Sequence, residues 1–251
     1  EQTKIGALFS HIDSLIASTQ KEGEKLVALK KCMLQKMFPH PRHSELDSEP
    51  LAPEIRFKGF TGDWEEKKLG EVCEFSKGSG YSKSDIREDG IPLILYGRLY
   101  TKYETVISEV DTFAEPKENS VYSTGCEVIV PASGETAEDI AVAAYIEKKG
   151  FLLGDDLNIL KPKKVINPIF LALSITYGAI HTEIAKKAQG KSVVHIHNSD
   201  FSPITFHFPS LPEQQKIGSY FQNLDNLISK QAAQLEKLKN VKKTLLGKMF
   251  V

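Results

Sequence analysis

Cysteine is scarce in this sequence: Cys32, Cys73 and Cys126 are the only three in 251 residues, and none are spaced as a disulfide framework or zinc ribbon requires. A reducing, cytoplasmic setting fits that usage. No apolar run approaches the roughly 18 residues of a membrane span, no signal-peptide pattern opens the chain, and the formal net charge is only −1. Catalytic signatures are missing too: there is no GxSxG elbow, Walker loop, HExxH or dinucleotide-type glycine turn. The Gly/Ser loop 76–85 lacks phosphate-loop spacing, and Ser133-Gly134-Glu135 has no evident histidine partner. Glu66-Lys67-Lys68 fits only a short, common fragment of a nuclease motif. His195 and His197 alternate onto one strand face, with His207 on another strand, but no carboxylate or cysteine at a fitting offset completes a metal site. No metal, cofactor or catalytic residue is expected on the chain itself.

What the sequence does contain is a repeat. Residues 1–38 and 213–250, overlaid at a shift of 212 with no gap, are identical at 18 of 38 positions. The matches include Glu1/Glu213, Gln2/Gln214, Lys4/Lys216, Gly6/Gly218, Asp13/Asp225 and the closing Lys-Met-Phe. Each copy carries a seam at steps of three and four: Ile5, Phe9, Ile12, Ile16, Leu26 and Met33 in the first, Ile217, Phe221, Leu224, Ile228, Leu235, Leu238 and Leu245 in the second. Such a spacing predicts long helices, each roughly 57 Å, that pair with one another. The seam is polar at Thr19/Gln231 and Lys30/Lys242, a feature that fixes register or partner. The first copy lacks the Phe208–Pro212 lead-in of the second, so the sequence is expected to begin within a longer gene product.

Between the repeats, 39–54 holds four prolines and reads as an extended linker; its His40 and His43 are ordinary linker residues. Residues 55–212 form the domain, entered through Ile55–Trp64; 65–75 reads as a strand or a short helix end, and strands are expected over 91–98, 104–110, 126–131, 156–161 and 204–208. A helix is expected over 168–188, opened by Asn167-Pro168. The fold class is α/β: one mixed α/β domain between two long helices (1–38 and 213–251) pairing as an antiparallel coiled coil. Charge is uneven. The two helices carry +2 and +4, the part between them −7, with most of the acid in 65–130. An acidic centre argues against indiscriminate binding of nucleic acid, and it leaves open a coiled-coil adaptor whose central domain binds protein.

Several loops nevertheless hold residue types that contact DNA. Lys77, Tyr81 and Lys83 lie in one; Tyr96, Arg98, Tyr100, Lys102 and Tyr103 follow a strand; Ser133 and Thr136 sit in a third. Lys191, Ser192, His195, His197 and Asn198 supply a fourth. Arginine and lysine read guanine edges, asparagine reads adenine, and serine, threonine and lysine fix phosphates. Gathered on one concave face, with the acids pointing away, they would reconcile DNA binding with the net charge.

Three stretches carry a family likeness. Pro-x-x-Pro-Glu-Gln-x-Lys-Ile-Gly (209–218), the ending Lys-x-x-Leu-Leu-x-Lys-Met-Phe (242–250) and the entry Pro53–Val72 resemble specificity (S) subunits of Type I restriction-modification systems. Ala188–Gly190 through Pro212 resembles the way their target recognition domains end. The likeness covers essentially the whole chain, but those subunits typically hold two recognition domains and this chain holds one, a half or truncated form. It implies a non-catalytic subunit that recognises double-stranded DNA at half of a bipartite site and docks methyltransferase (modification) subunits on its helices. Restriction/translocase subunits would join, and a head-to-tail homodimer is a further possible assembly. S-adenosylmethionine and ATP would then belong to the partner subunits.

Overall fold

The computed structural model describes residues 1–38, 53–190 and 193–249. The chain divides into two compact units, 1–34 with 219–251 and 35–218. The first expected linker, with His40 and His43, lies almost wholly outside the described residues.

The first unit is the helix pair. One helix runs Gln2–Met37 and the other Leu211–Met249, and within this unit they are antiparallel. Asp13 meets Lys242, Thr19 meets Gln231, and Lys30 meets Asp225. The expected seam of the first helix, Ile5, Phe9, Ile12, Ile16, Thr19, Gly23, Leu26, Lys30 and Met33, is partly or fully buried throughout, and Leu34 near its end is buried as well. The seam positions from Ile217 to Leu245 in the second helix are likewise partly or fully buried, whereas Met249 at its end is exposed. The seam lysines are explained by their mates. Under the 212-residue shift Lys30 becomes Lys242 and Asp13 becomes Asp225, so the two ion pairs are one interaction made twice. The repeat thus folds onto itself about a pseudo-twofold near its polar middle, where Gln231 Nε2 donates to Thr19 O (3.3 Å) and Glu22 (3.2 Å).

The second unit is the α/β domain. Its larger sheet has five strands, in the order Cys73–Lys77, Leu157–Pro162, Val128–Pro131, Ala144–Ile146 and Val106–Ile107. All neighbours are antiparallel except the last pair. The second sheet orders Phe113–Ala114, Ile91–Ile94, Lys149–Leu153 and Tyr122–Thr124, with its central pair parallel. The sheets share one core, in which Ile94 and Leu153 from one meet Ile107, Ile129, Ile146 and Leu157 from the other. Each such side chain contributes about 1.5–3 kcal/mol on burial. Two-stranded ribbons pair Glu65–Lys68 with Thr205–Phe208 and Ser133–Gly134 with Val194–His195.

The helix expected over 168–188 is two helices, Pro168–Tyr177 and Ala179–Lys187, bent by 64°. Asn167 caps the first, its side chain accepting from Phe170 N, and Pro168 takes the first turn. The break is at Gly178, which leaves the helical conformation and lies so near Ser174 O that a Cβ would sit 2.8 Å from it. Pro168–Tyr177 is apolar nearly all round because it is buried nearly all round. Among the described residues, no single helix is long and apolar enough to cross a membrane. Trp64 packs edge-on against Phe170, ring centroids 5.7 Å apart, and so fastens the domain's entry to its core.

The start of the second helix repeat is also built into the domain. Glu213 is buried and takes Arg56 in a two-pronged ion pair, Nε at 2.9 Å and Nη2 at 2.7 Å. Gln214, fully buried, accepts from Asn167 N and donates to Val165 O and Pro209 O. Gly218 lets Ile169 approach, a Cβ there falling 3.2 Å from the Ile169 side chain, whereas its equivalent Gly6 has nothing within 4 Å. The matched residues thus have different duties in the two copies.

Glu127 organises the turn between two sheets. Its buried carboxylate accepts from the backbone N–H of Thr124, Gly125 and Cys126 and from the Thr124 hydroxyl. Burial alone would push its pKa up, but these hydrogen bonds outweigh it and hold the group below its ordinary 4.5. A carboxylate depressed in the folded state contributes stability above its unfolded pKa and loses it as pH falls through the folded value. Melting curves of the wild type and Glu127→Gln are therefore expected to differ most above about pH 4.5 and to converge as pH drops below it. A gap that stays constant with pH would show that the carboxylate's charge is not what matters.

Candidate nucleic-acid interface

The loops expected to carry DNA contacts are brought together only in part. After Ile91–Ile94 the chain turns into a short helix, Arg98–Thr101, whose sides face differently. Arg98 turns inward: its guanidinium, only 8% exposed, donates to Asp111 (3.0 Å), Glu104 (2.6 Å) and Glu109 O (2.9 Å). Lys102 joins it on Asp111 at 3.1 Å. Tyr103 donates to Ala143 O, 3.2 Å away. These three are engaged by the domain itself, while Tyr96 and Tyr100, an edge-to-face pair with centroids 6.3 Å apart, remain exposed.

Tyr100 leads to the other loops. Its hydroxyl donates to Ser133 O (2.8 Å), and the absent side chain at Gly134 admits it: a Cβ there would lie 3.0 Å from the phenol oxygen. Ser133 has the histidine partner that the sequence conceals, its Oγ lying 3.1 Å from His195 Nδ1. Ser133 and His195 are also register partners in their ribbon, and His195 exchanges two backbone hydrogen bonds with Gln189 on its other side. Burial, then Asp139, Tyr96 and Glu135, raise the Tyr100 pKa, so its hydroxyl stays a donor throughout the neutral range. Thr136 is held to Asp139 by two hydrogen bonds, 2.7 and 3.0 Å.

A second group lies where strand Cys73–Lys77 ends. Asn198 Nδ2 donates to Ser76 O (2.8 Å), next to exposed Lys77, and Asn158 Nδ2 donates to Ile196 O (3.1 Å). His197 is the exposed N-cap of the short helix Asn198–Phe201, so the strand with His195 ends before it and the two histidines do not share a strand face. Tyr81 is a core residue, bonded through its hydroxyl to Ser120 (2.5 Å) and Glu115 O (3.2 Å), with Lys117 stacked on its ring. Lys83 is exposed in a tight turn capped by Ser82 and Asp85. Lys117 pairs with that Asp85 and, with the Ser82 N–H, lowers its pKa to about 2. Lys191 and Ser192 lie outside the described residues. Among the described residues, no three His, Cys, Asp or Glu side chains cluster as a metal site. Burial raises the Cys73 thiol pKa to about 12, which keeps it protonated and inert. Gln189, Gly134 and Asn158 belong to these clusters although nothing in their local sequence marks them.

Two long helices that pair through an internal repeat, with one mixed α/β domain between them in sequence, define the architecture of the chain. The family model for the Type I restriction modification DNA specificity domain matches residues 61–240, and the chain belongs to that family. Two similar proteins of Methanocaldococcus jannaschii are the Type I restriction enzyme MjaVIII specificity subunit, 23% identical over 190 residues, and the putative MjaX specificity subunit, 27% identical over 202. Each match covers 75% of this chain but 42% and 45% of those proteins, so the chain spans less than half their length. The fold is shared with the HsdS subunit from Thermoanaerobacter tengcongensis (TM-score 0.60, 16% identity, 98% of this chain and 56% of that one). It is shared equally with the S subunit of a Type I system from M. genitalium (TM-score 0.60, 19% identity, 98% and 59%).

Proposed function

We propose that this chain is a sequence-specific DNA recognition subunit of a Type I restriction-modification complex, its single domain reading one half of a bipartite site. The observation that supports this most is the family match, which takes in the domain and much of the second helix. The chain has no catalytic role in this reading. Methyltransferase subunits bring S-adenosylmethionine, restriction/translocase subunits bring ATP, and this subunit sets where they act.

The helix pair supports docking of two copies of one partner. Beside the seam, Leu15 and Leu29 on the first helix and Leu227 and Val241 on the second are each more than two-fifths exposed. Leu15 and Leu227 are equivalent under the 212-residue repeat, as are Leu29 and Val241. Exposed apolar side chains two heptads apart next to a paired seam offer a second packing surface for further helices. Here that surface exists twice, related by the pseudo-twofold. Mass measurement of the complex with its methyltransferase is expected to give two copies on the wild type. Leu15→Lys or Leu227→Lys alone should leave one, and the double variant none. Two copies on the double variant would refute this docking surface, and a dimer of this chain in the partner's absence would assign the same surface to self-association.

A further inference from the structure

Tyr96, Tyr100, Ser133 and His195 come from three separate segments of the chain, yet are linked into one arrangement. His195 is fixed twice. Its backbone pairs with Gln189 on one side and sits opposite Ser133 on the other, and its Nδ1 is engaged by the Ser133 hydroxyl. Ser133 is in turn held through its carbonyl by the Tyr100 hydroxyl. The imidazole is nevertheless exposed, and its Nε2 has no hydrogen-bond partner among the described residues. Three exposed apolar surfaces belong to the same segments: the ring of Tyr100, whose hydroxyl holds Ser133, the ring of Tyr96 packed on it edge to face, and Val193, two residues before His195.

Among the described residues, the charged side chains that act on Tyr100 are all acidic. Asp139 and Glu135 act on Tyr100, and no lysine or arginine belongs to the cluster among the described residues. Arg98 and Lys102, the nearest in sequence, are committed to Asp111. Carboxylates so placed do not attract phosphate. The cluster suits base edges, where carboxylate and imidazole acceptors meet exocyclic amino groups and apolar side chains meet the thymine methyl.

We propose that this cluster is the base-reading site of the domain: His195 contacts a base edge through Nε2, and Ser133 and Tyr100 are positioning residues that fix its ring. The inference rests on the DNA-recognition reading above and specifies which chemistry the domain uses. It also accounts for an acidic recognition domain, since affinity for phosphate is then left to other parts of the complex.

The test uses the full chain in complex with its methyltransferase, a randomised duplex library, and binding measured against salt concentration. The wild type is expected to select a defined sequence. His195→Ala should lose about tenfold or more of its discrimination at one base position, with the salt slope and the affinity for unrelated DNA unchanged. Tyr100→Phe, which keeps the ring and removes only the hydroxyl, should relax the same position to a smaller extent. The proposal is overturned if His195→Ala selects the wild-type sequence with full discrimination. It is equally overturned if the variant weakens all sequences alike and lowers the salt slope by about one, the mark of a phosphate contact. A wild-type complex with no sequence preference would instead remove the underlying DNA-recognition reading.

Discussion

Arg56→Ala is expected to cost about 3–5 kcal/mol of the stability of unit 35–218, because it strands the Glu213 carboxylate in the interior. That side chain is only 2% exposed, against 21% for Arg56. The pair has fork geometry, and a further nitrogen of Arg56 donates to Gly62 O. The hydrogen bond to Glu213 raises the Arg56 pKa, so the guanidinium remains charged at any working pH. Water does not replace it around a carboxylate so enclosed. For a unit of this size the loss lowers the melting temperature by roughly 10 °C. Arg56→Lys is not conservative here, since an ammonium satisfies one oxygen where the fork satisfies both. Joint replacement of Arg56 and Glu213 by methionine and leucine should recover much of the loss, since it removes the buried charge itself. Thermal unfolding of these variants decides it, and an Arg56→Ala protein that melts with the wild type would show that Glu213 is not confined as described.

Gly78→Ala is the second large effect, expected at roughly 3 kcal/mol, toward the upper end of overpacking costs. A Cβ at this position would fall 1.9 Å from Gly154 O and 2.9 Å from Leu153 O. These are backbone atoms that cannot rotate away. Two hydrogen bonds, Gly78 N to Leu157 O and Ser79 N to Leu153 O, both 3.0 Å, hold the two segments at that distance. Relief requires peeling the end of Cys73–Lys77 from the sheet, which would also displace Lys77. Gly97→Ala is the control: nothing lies within 4 Å of its Cβ position and its φ of −59° is ordinary, so no loss is expected there. Equal melting temperatures for the two variants would contradict the close approach.

The helices were the most legible part of the sequence because the chain states them twice and because a seam is a local pattern. The seam lysines were not, since Lys30 and Lys242 find Asp225 and Asp13 only when the chain closes on itself. Strand Lys149–Leu153 escapes sequence reading altogether: its three apolar residues, set between Gly150 and Gly154, are too few to show a period. In sequence 168–188 is continuous, because Gly178 within an apolar run looks tolerable until Ser174 O is placed beside it. At the interface the residue types were visible but their company was not. Nothing near Arg98 announces its pairing, because Asp111 lies 13 residues on, and nothing near Ser133 announces His195, which lies 62 residues on. Sequence spacing reports neighbours along a helix or strand; it is blind to loops that converge in space.

The proposal that this chain chooses where a partner modifies DNA is tested most directly by a methylation map. The chain is co-expressed with its methyltransferase, and modified bases are located across a random DNA library. The account predicts modification confined to one short defined sequence and absent when this chain is omitted. Modification scattered without regard to sequence, from a complex confirmed to contain both proteins, would contradict it.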